Sequence, residues 1–209
     1  NASITLQGIG NVLLDGSSLP SYESGFDTKG QSYLRFINLS VNNFRAGFDV
    51  RPGSAFIEID NFRADGNNYA VRIETASHIT VRNGYAVNSH NAFRATGQSS
   101  NLLFENIQTF GSRDVFDGMD PNYLNGDGFI LENDVTDVVL RDIISGNHWD
   151  AGFDIKASRV LIENVETFGN KNNFKTSGQD IVIKNSLSRQ AKRQRRSDGT
   201  SVEGNGITV

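Results

Sequence analysis

A repeat of about 22 residues constrains this chain more than any other feature, because a fixed period of that length signals a solenoid or array. It shows first in the tripeptides GFD (25–27), GFD (47–49), AVR (70–72), AFR (92–94), GFI (128–130), GFD (152–154), NFK (173–175) and GIT (206–208). Their apolar members are Phe26, Phe48, Val71, Phe93, Phe129, Phe153, Phe174 and Ile207, spaced 22, 23, 22, 36, 24, 21 and 33 residues apart. Five intervals cluster near 22, and the two long ones add insertions near 108–127 and 187–205. A second column, Asn38, Asn61, Asn83, Asn106, Asp142, Asn164 and Asn185, is spaced 23, 22, 23, 36, 22 and 21. The two columns share one insertion, which chance does not readily produce.

Before each member of the second column the chain alternates: LRF, IEI, ITV, LLF, VVL, VLI and IVI. That period of two marks a strand, and a second short strand fits around each Phe position. No helical spacing appears. A Phe-rich, Gly-rich chain with 14 Phe, 21 Gly and 3 Pro suits many short strands joined by tight turns. A leucine-rich repeat also carries an Asn column, but there the Asn follows the last apolar residue by three. Here the gap is two, as from Ile162 to Asn164, and no helix follows. The expected architecture is all-β: a right-handed parallel β-helix of about eight coils, one domain over residues 1–209. Equivalent residues then stack about 4.8 Å apart, with the Phe column in the core. The Asn column is expected to form an inward ladder bonding the turn backbone. Strand-like runs at both ends, without capping helices, suggest a segment of a longer protein or ends covered by other parts.

The net charge of −4 gives no reason to expect nucleic acid. With no cysteine, a disulfide scaffold and thiolate catalysis are both excluded. No apolar run reaches membrane length, so no membrane partner is expected, and the chain is taken as a monomer. The basic run KRQRR (192–196) reads as a solvated loop or a grip on a polyanion. His90, His148 and Trp149 lie near the corner discussed next and have ordinary core or turn explanations.

In a strand, the residue after an inward one points outward. The outward stripe beside the Phe column is therefore Asp27, Asp49, Arg72, Arg94, Ile130, Asp154, Lys175 and Thr208. Asp127 and Asp150 precede their Phe by two and three residues, so with Asp154 they put three carboxylates at one corner of two neighbouring coils. Singly, each is a turn residue in NGDG or WDAG. Together they have the oxygen density a hard cation such as Ca²⁺ requires. Lys175 falls one coil beyond Asp154, as a salt-bridge partner or, with a cation lowering its pKa, as a base.

The segments NGDGF (125–129), WDAGFD (149–154) and NNFKTSG (172–178), in that order on a β-helix, resemble the family 9 polysaccharide lyases. That resemblance spans roughly residues 106–185 and implies a secreted enzyme acting on pectate or a similar acidic polysaccharide. It implies Ca²⁺ held by Asp127, Asp150 and Asp154, and Lys175 as the base that removes the C5 proton of a uronic acid. Arg72 and Arg94 would hold substrate carboxylates in neighbouring subsites, since arginine matches carboxylates bidentately. The family motif has adjacent acids where this chain has Asp150 followed by Ala151. Asp114, Asp117 and Asp120 in the first insertion are candidates to compensate. Competing readings are a uronate C5-epimerase, which returns a proton instead of expelling the leaving group, and a non-catalytic polysaccharide-binding or adhesion β-helix. A glycoside hydrolase, which needs two carboxylates around one bond, would leave the lysine without a role.

Overall fold

The computed structural model describes residues 2–20, 23–113, 125–192, 194–195 and 201–208. It is a parallel β-helix with no helix among the described residues, and none therefore long and apolar enough to cross a membrane. One sheet stacks the strands Leu34–Asn42, Ala55–Asp65, Ser77–Val87, Ser100–Phe110 and Thr136–Gly146 in parallel, extended by shorter strands at both ends. The other stacks Ser24–Asp27, Ala46–Val50, Tyr69–Glu74, Asn91–Thr96, Phe129–Leu131, Ala151–Ile155, Asn172–Thr176 and Asn205–Thr208. Within the second insertion, Gln194–Arg195 pairs antiparallel with Ser201–Val202. The eight strands of the second sheet bound about seven turns rather than the eight coils expected, because the first and last strands close the stack without completing a coil of their own.

The Phe column is realised residue by residue. Phe26 pairs with Phe48, Phe48 with Val71, Val71 with Phe93, Phe93 with Phe129, Phe129 with Phe153, Phe153 with Phe174 and Phe174 with Ile207. Coil spacing brings these rings into offset stacks, with centroids 4.6 Å apart for Phe93–Phe129, 5.2 Å for Phe129–Phe153 and 5.3 Å for Phe153–Phe174. Phe104 meets Phe93 and Phe129 edge-on from the opposite sheet, so the two sheets share one core.

The Asn column does not point inward. Every member has a left-handed backbone, with φ between 50° and 57°, a conformation Asn tolerates better than other non-glycine residues. One such residue resets the alternation of its strand: in Ala55–Asp65, Ile57 and Ile59 face the core, Asn61 is skipped, and Phe62 and Ala64 face it next. The strand bends there and the Asn side chain is left outside. The ladder therefore runs along the exterior, with Asn106 Nδ2 donating to Asn83 Oδ1 at 2.7 Å and Asn61 Nδ2 to Asn38 Oδ1 at 3.3 Å. Its first rung, from Asn38 Nδ2 to the Gly8 carbonyl at 2.8 Å, bonds backbone of the preceding coil.

Truncating the centre of the ring stack should be costly. Phe153→Ala is expected to lower stability by about 3–5 kcal/mol, and Phe153→Leu by much less, in urea unfolding followed by circular dichroism.

Candidate functional site

The local sequence explains how acids reach one outer face of the second sheet. In NGDGF and WDAGFD the glycine before each Phe faces inward together with the Phe. A Cβ on Gly152 would stand 2.2 Å from Thr167 Oγ1, and one on Gly128 2.4 Å from Ser145 Oγ, so no larger residue fits. With two consecutive positions turned in, the residues two before and one after the Phe both face out. Asp127 takes the first kind of position and Asp154 the second.

On that face Lys175 sits opposite Asp154 in the strand register, its Nζ 3.1 Å from Asp154 Oδ2 and 3.6 Å from Asp150 Oδ2. Lys171 Nζ reaches Asp150 Oδ1 at 3.4 Å, and Asn172 Nδ2 donates to the same oxygen at 2.9 Å. Lys156 Nζ lies 3.3 Å from Asp154 Oδ2. Asp127 is buried, and its Oδ1 accepts the Ala151 N–H at 2.6 Å. Burial, and then the charges of Asp150 and Asp154, hold its carboxyl well above the usual carboxylate range. Burial opposes charge on Lys175, but Asp150, Asp154 and Asp127 outweigh it and hold the ammonium above its ordinary value.

The three acids thus share a corner and feel one another, as their spacing requires. Among the described residues, however, no three carboxylate or imidazole side chains converge as a ready metal cage. A hard cation there would draw on three carboxylates that already have partners in the protein: the Ala151 N–H on Asp127, and lysine ammonium groups on Asp150 and Asp154. The ammonium groups of Lys171 and Lys175 supply the positive charge. Ala151 occupies the outward column between Asp127 and Asn172, and its backbone N–H gives Asp127 a partner where an acid side chain would add repulsion.

Arg72 and Arg94 lie on the same stripe, four and three coils from Lys175. Each is already paired. Arg72 Nη1 contacts the fully buried Asp49 at 3.1 Å, alongside Arg45 and Arg51, and Arg72 also contacts Glu74. Arg94 Nη2 contacts Glu132 Oε1 at 3.3 Å, and its Nη1 donates to the Tyr69 hydroxyl at 3.3 Å. His148 belongs to the interior: its Nδ1 accepts the Ser112 N–H at 3.0 Å, and burial pulls its pKa down to about 3, so it stays neutral. His90 is buried too, whereas Trp149 is exposed. Asp114, Asp117 and Asp120 lie outside the described residues, as do Arg193 and Arg196 of the basic run. Its Lys192 Nζ donates to Asn147 Oδ1 at 3.0 Å.

Sequence reasoning missed Lys171, Lys156 and Glu132. Lys171 stands three before Phe174 as Asp150 stands three before Phe153, and Glu132 and Lys156 each stand three after their Phe. Extending the column argument to those positions would have found all three.

The backbone resembles two solved lyases. One, titled a rhamnogalacturonan lyase, superposes with a TM-score of 0.55 at 13% identity over 97% of this chain. The other, the pectate lyase Pel9A, superposes with a TM-score of 0.50 at 14% identity over 90% of it. The chain spans 62% and 65% of their respective lengths, and identity at this level establishes a common fold. No protein-family model and no curated protein matches the chain.

Asp127 makes the site legible in stability. A carboxyl raised in the folded state favours folding fully below its unfolded pKa and loses that contribution as pH rises through the folded value. Melting temperature should therefore fall as pH climbs from about 4 towards neutrality. Asp127→Asn, which keeps the acceptor for Ala151, should flatten that slope and raise the neutral-pH melting temperature, by about 2–4 °C per kcal/mol relieved. Calorimetric melts across pH would show the reverse if Asp127 were comfortably ionised.

Proposed function

We propose that this chain is the β-helical body of a polysaccharide lyase of the family 9 type, acting outside the cell on a uronic-acid polymer by β-elimination. The observation that carries the reading is an outward amine, Lys175, held 3.1 Å and 3.6 Å from two carboxylates, with a third carboxylate buried beside them. In its neutral form such an amine can remove a proton beside a carboxylate. The two lyases of similar fold are named for rhamnogalacturonan and pectate, which supports an acidic polysaccharide as the substrate class.

In this reading Lys175 takes the C5 proton of a uronate, the freed electron pair forms the C4=C5 double bond, and the C4–O bond breaks. The leaving oxygen is protonated from solvent, and the new chain end is an unsaturated uronide. Arg94 and Arg72 hold carboxylates of neighbouring sugars along the stack. Asp127, Asp150 and Asp154 are the residues that would hold Ca²⁺, which when bound would neutralise the substrate carboxylate and make the C5 proton more acidic. Lys175 must give up its own proton before it can accept another, and the surrounding acids resist that. The rate should accordingly climb with pH on the alkaline side, by about tenfold per unit while the amine remains mostly protonated.

The same raised charge favours a second reading, a binding β-helix whose ammonium groups hold the polymer without cleaving it. One assay separates the two. With pectate, alginate or related polyuronates and Ca²⁺, the ultraviolet absorbance of unsaturated uronides should grow, and Lys175→Ala should lower the rate by about 10²–10⁴-fold. Flat absorbance with an altered polymer NMR spectrum would mean epimerisation. Binding with neither change would leave the non-catalytic reading.

A further inference from the structure

Between the candidate base and the upstream arginines stands a carboxylate that belongs to the protein itself. Glu132 lies three residues after Phe129, on the edge of the same outer face. Its Oε1 is 3.3 Å from Arg94 Nη2, and its Oε2 is 3.5 Å from Lys156 Nζ. The two oxygens are divided between two cations contributed by coils on either side, since Phe93 and Phe153 flank Phe129 in the register.

The pairing is a poor one for what the groups can do. Both contacts are longer than the roughly 2.7–2.9 Å of a good charge-assisted bond. Arg94 offers Glu132 one nitrogen instead of a bidentate fork, and its Nε has no hydrogen-bond partner among the described residues. The Glu132 side chain is 31% exposed, so solvent and solutes reach it. An exposed pair of this kind is worth about 0–1 kcal/mol, little enough to be exchanged for an equivalent partner.

We propose that Arg94 and Lys156 form a carboxylate subsite for the polymer, which Glu132 fills in the free protein and yields when a uronate carboxylate arrives. This rests on the reading that the ligand is an acidic polysaccharide. The exchange leaves both cations paired at every stage, and the displaced Glu132 is close enough to the surface to take up water. The subsite sits two coils from Lys175, roughly 10 Å along the stack, within reach of the same polymer chain. Lys156 also touches Asp154, so it links the subsite to the corner where the proton would be removed.

The consequence is counterintuitive: deleting one of the protein's own acids on this face should improve binding. In a full-length Lys175→Ala background, which leaves the polymer intact, calorimetric titration with polygalacturonate at fixed salt should give about two- to fivefold tighter binding for Glu132→Gln. Arg94→Ala and Lys156→Ala should weaken binding, and fully methyl-esterified polymer should not distinguish the variants. The neighbouring exposed Asp134→Asn removes the same charge without touching either cation and should change affinity less than Glu132→Gln. Equal effects of Glu132→Gln and Asp134→Asn, or unchanged or weaker binding by Glu132→Gln, would overturn the subsite while leaving the acidic-polymer reading intact. Failure of both the unaltered protein and Lys175→Ala to bind any polyuronate, with normal circular dichroism spectra, would overturn both.

Discussion

Parallel pairing of each coil with the next is the constraint on which the rest of this structure depends. It places equivalent residues one above another, so a side chain chosen once is repeated, opposed or compensated about every 4.8 Å. The interior uses that repetition for stacked rings, and the exterior uses it for charges. The two are one register seen from opposite sides: Phe153 faces the core because Asp154 faces out, and Phe174 fixes Lys175 in the same way. A slip of one residue would exchange core for surface along the whole sheet. The backbone spacing between the candidate base and its carboxylates is therefore set by aromatic packing beneath them.

This coupling explains which parts of the molecule were legible in the sequence. The Phe column and the stripe beside it could be read because period two within a strand and period 22 between coils are both written in residue order. The direction of the Asn column could not. Asn suits an inward hydrogen-bonding ladder and an exterior left-handed bend equally well, and the choice depends on whether the strand resets its alternation at that residue, as it does between Ile59 and Phe62. The burial of Asp127 was hidden for a different reason: an outward residue is covered or bare according to side chains from adjacent coils. Glu132 and Lys156 were visible in principle, but their contacts depend on how long side chains lean across the surface, which no periodicity records. The lyase family and the calcium reading came from three short motifs, and the backbone likeness carries only the fold beneath them.

The outward stripe has two ends of different character. Upstream, three arginines converge on Asp49, which is fully buried, and Arg72 is the one shared with the stripe. Removing a cation there would strand a buried charge, so that end is held together by its ion pairs. Downstream, the cations alternate with acids in a chain from Arg94 through Glu132, Lys156, Asp154, Lys175 and Asp150 to Lys171. No single link in it is buried at both ends. Arg72 is thus held more tightly than Arg94, and partners exchange more readily from Arg94 onward.

How the two signs are layered decides what kind of ligand such a face suits. The acids nearest the candidate base lie low, with the side chains of Asp150 and Asp154 11% and 7% exposed, as does Asp49 at 0%, whereas Glu132 is 31% exposed. The cations stand above them, with Lys175 38% and Arg94 35% exposed. A chain with a net charge of −4 therefore presents cationic tips over buried carboxylates along one side. Amines and guanidinium groups are met first by an approaching polymer, and the deeper acids keep them charged and upright. A polycation would have to push those tips aside to reach its partners, whereas a polyanion meets them where they already stand. Each single contact is weak at such exposure, but carboxylates tied in one polymer bind with the effective concentration of linked sites. For the acidic polymer proposed above, that layering would supply selectivity without a net positive charge on the protein.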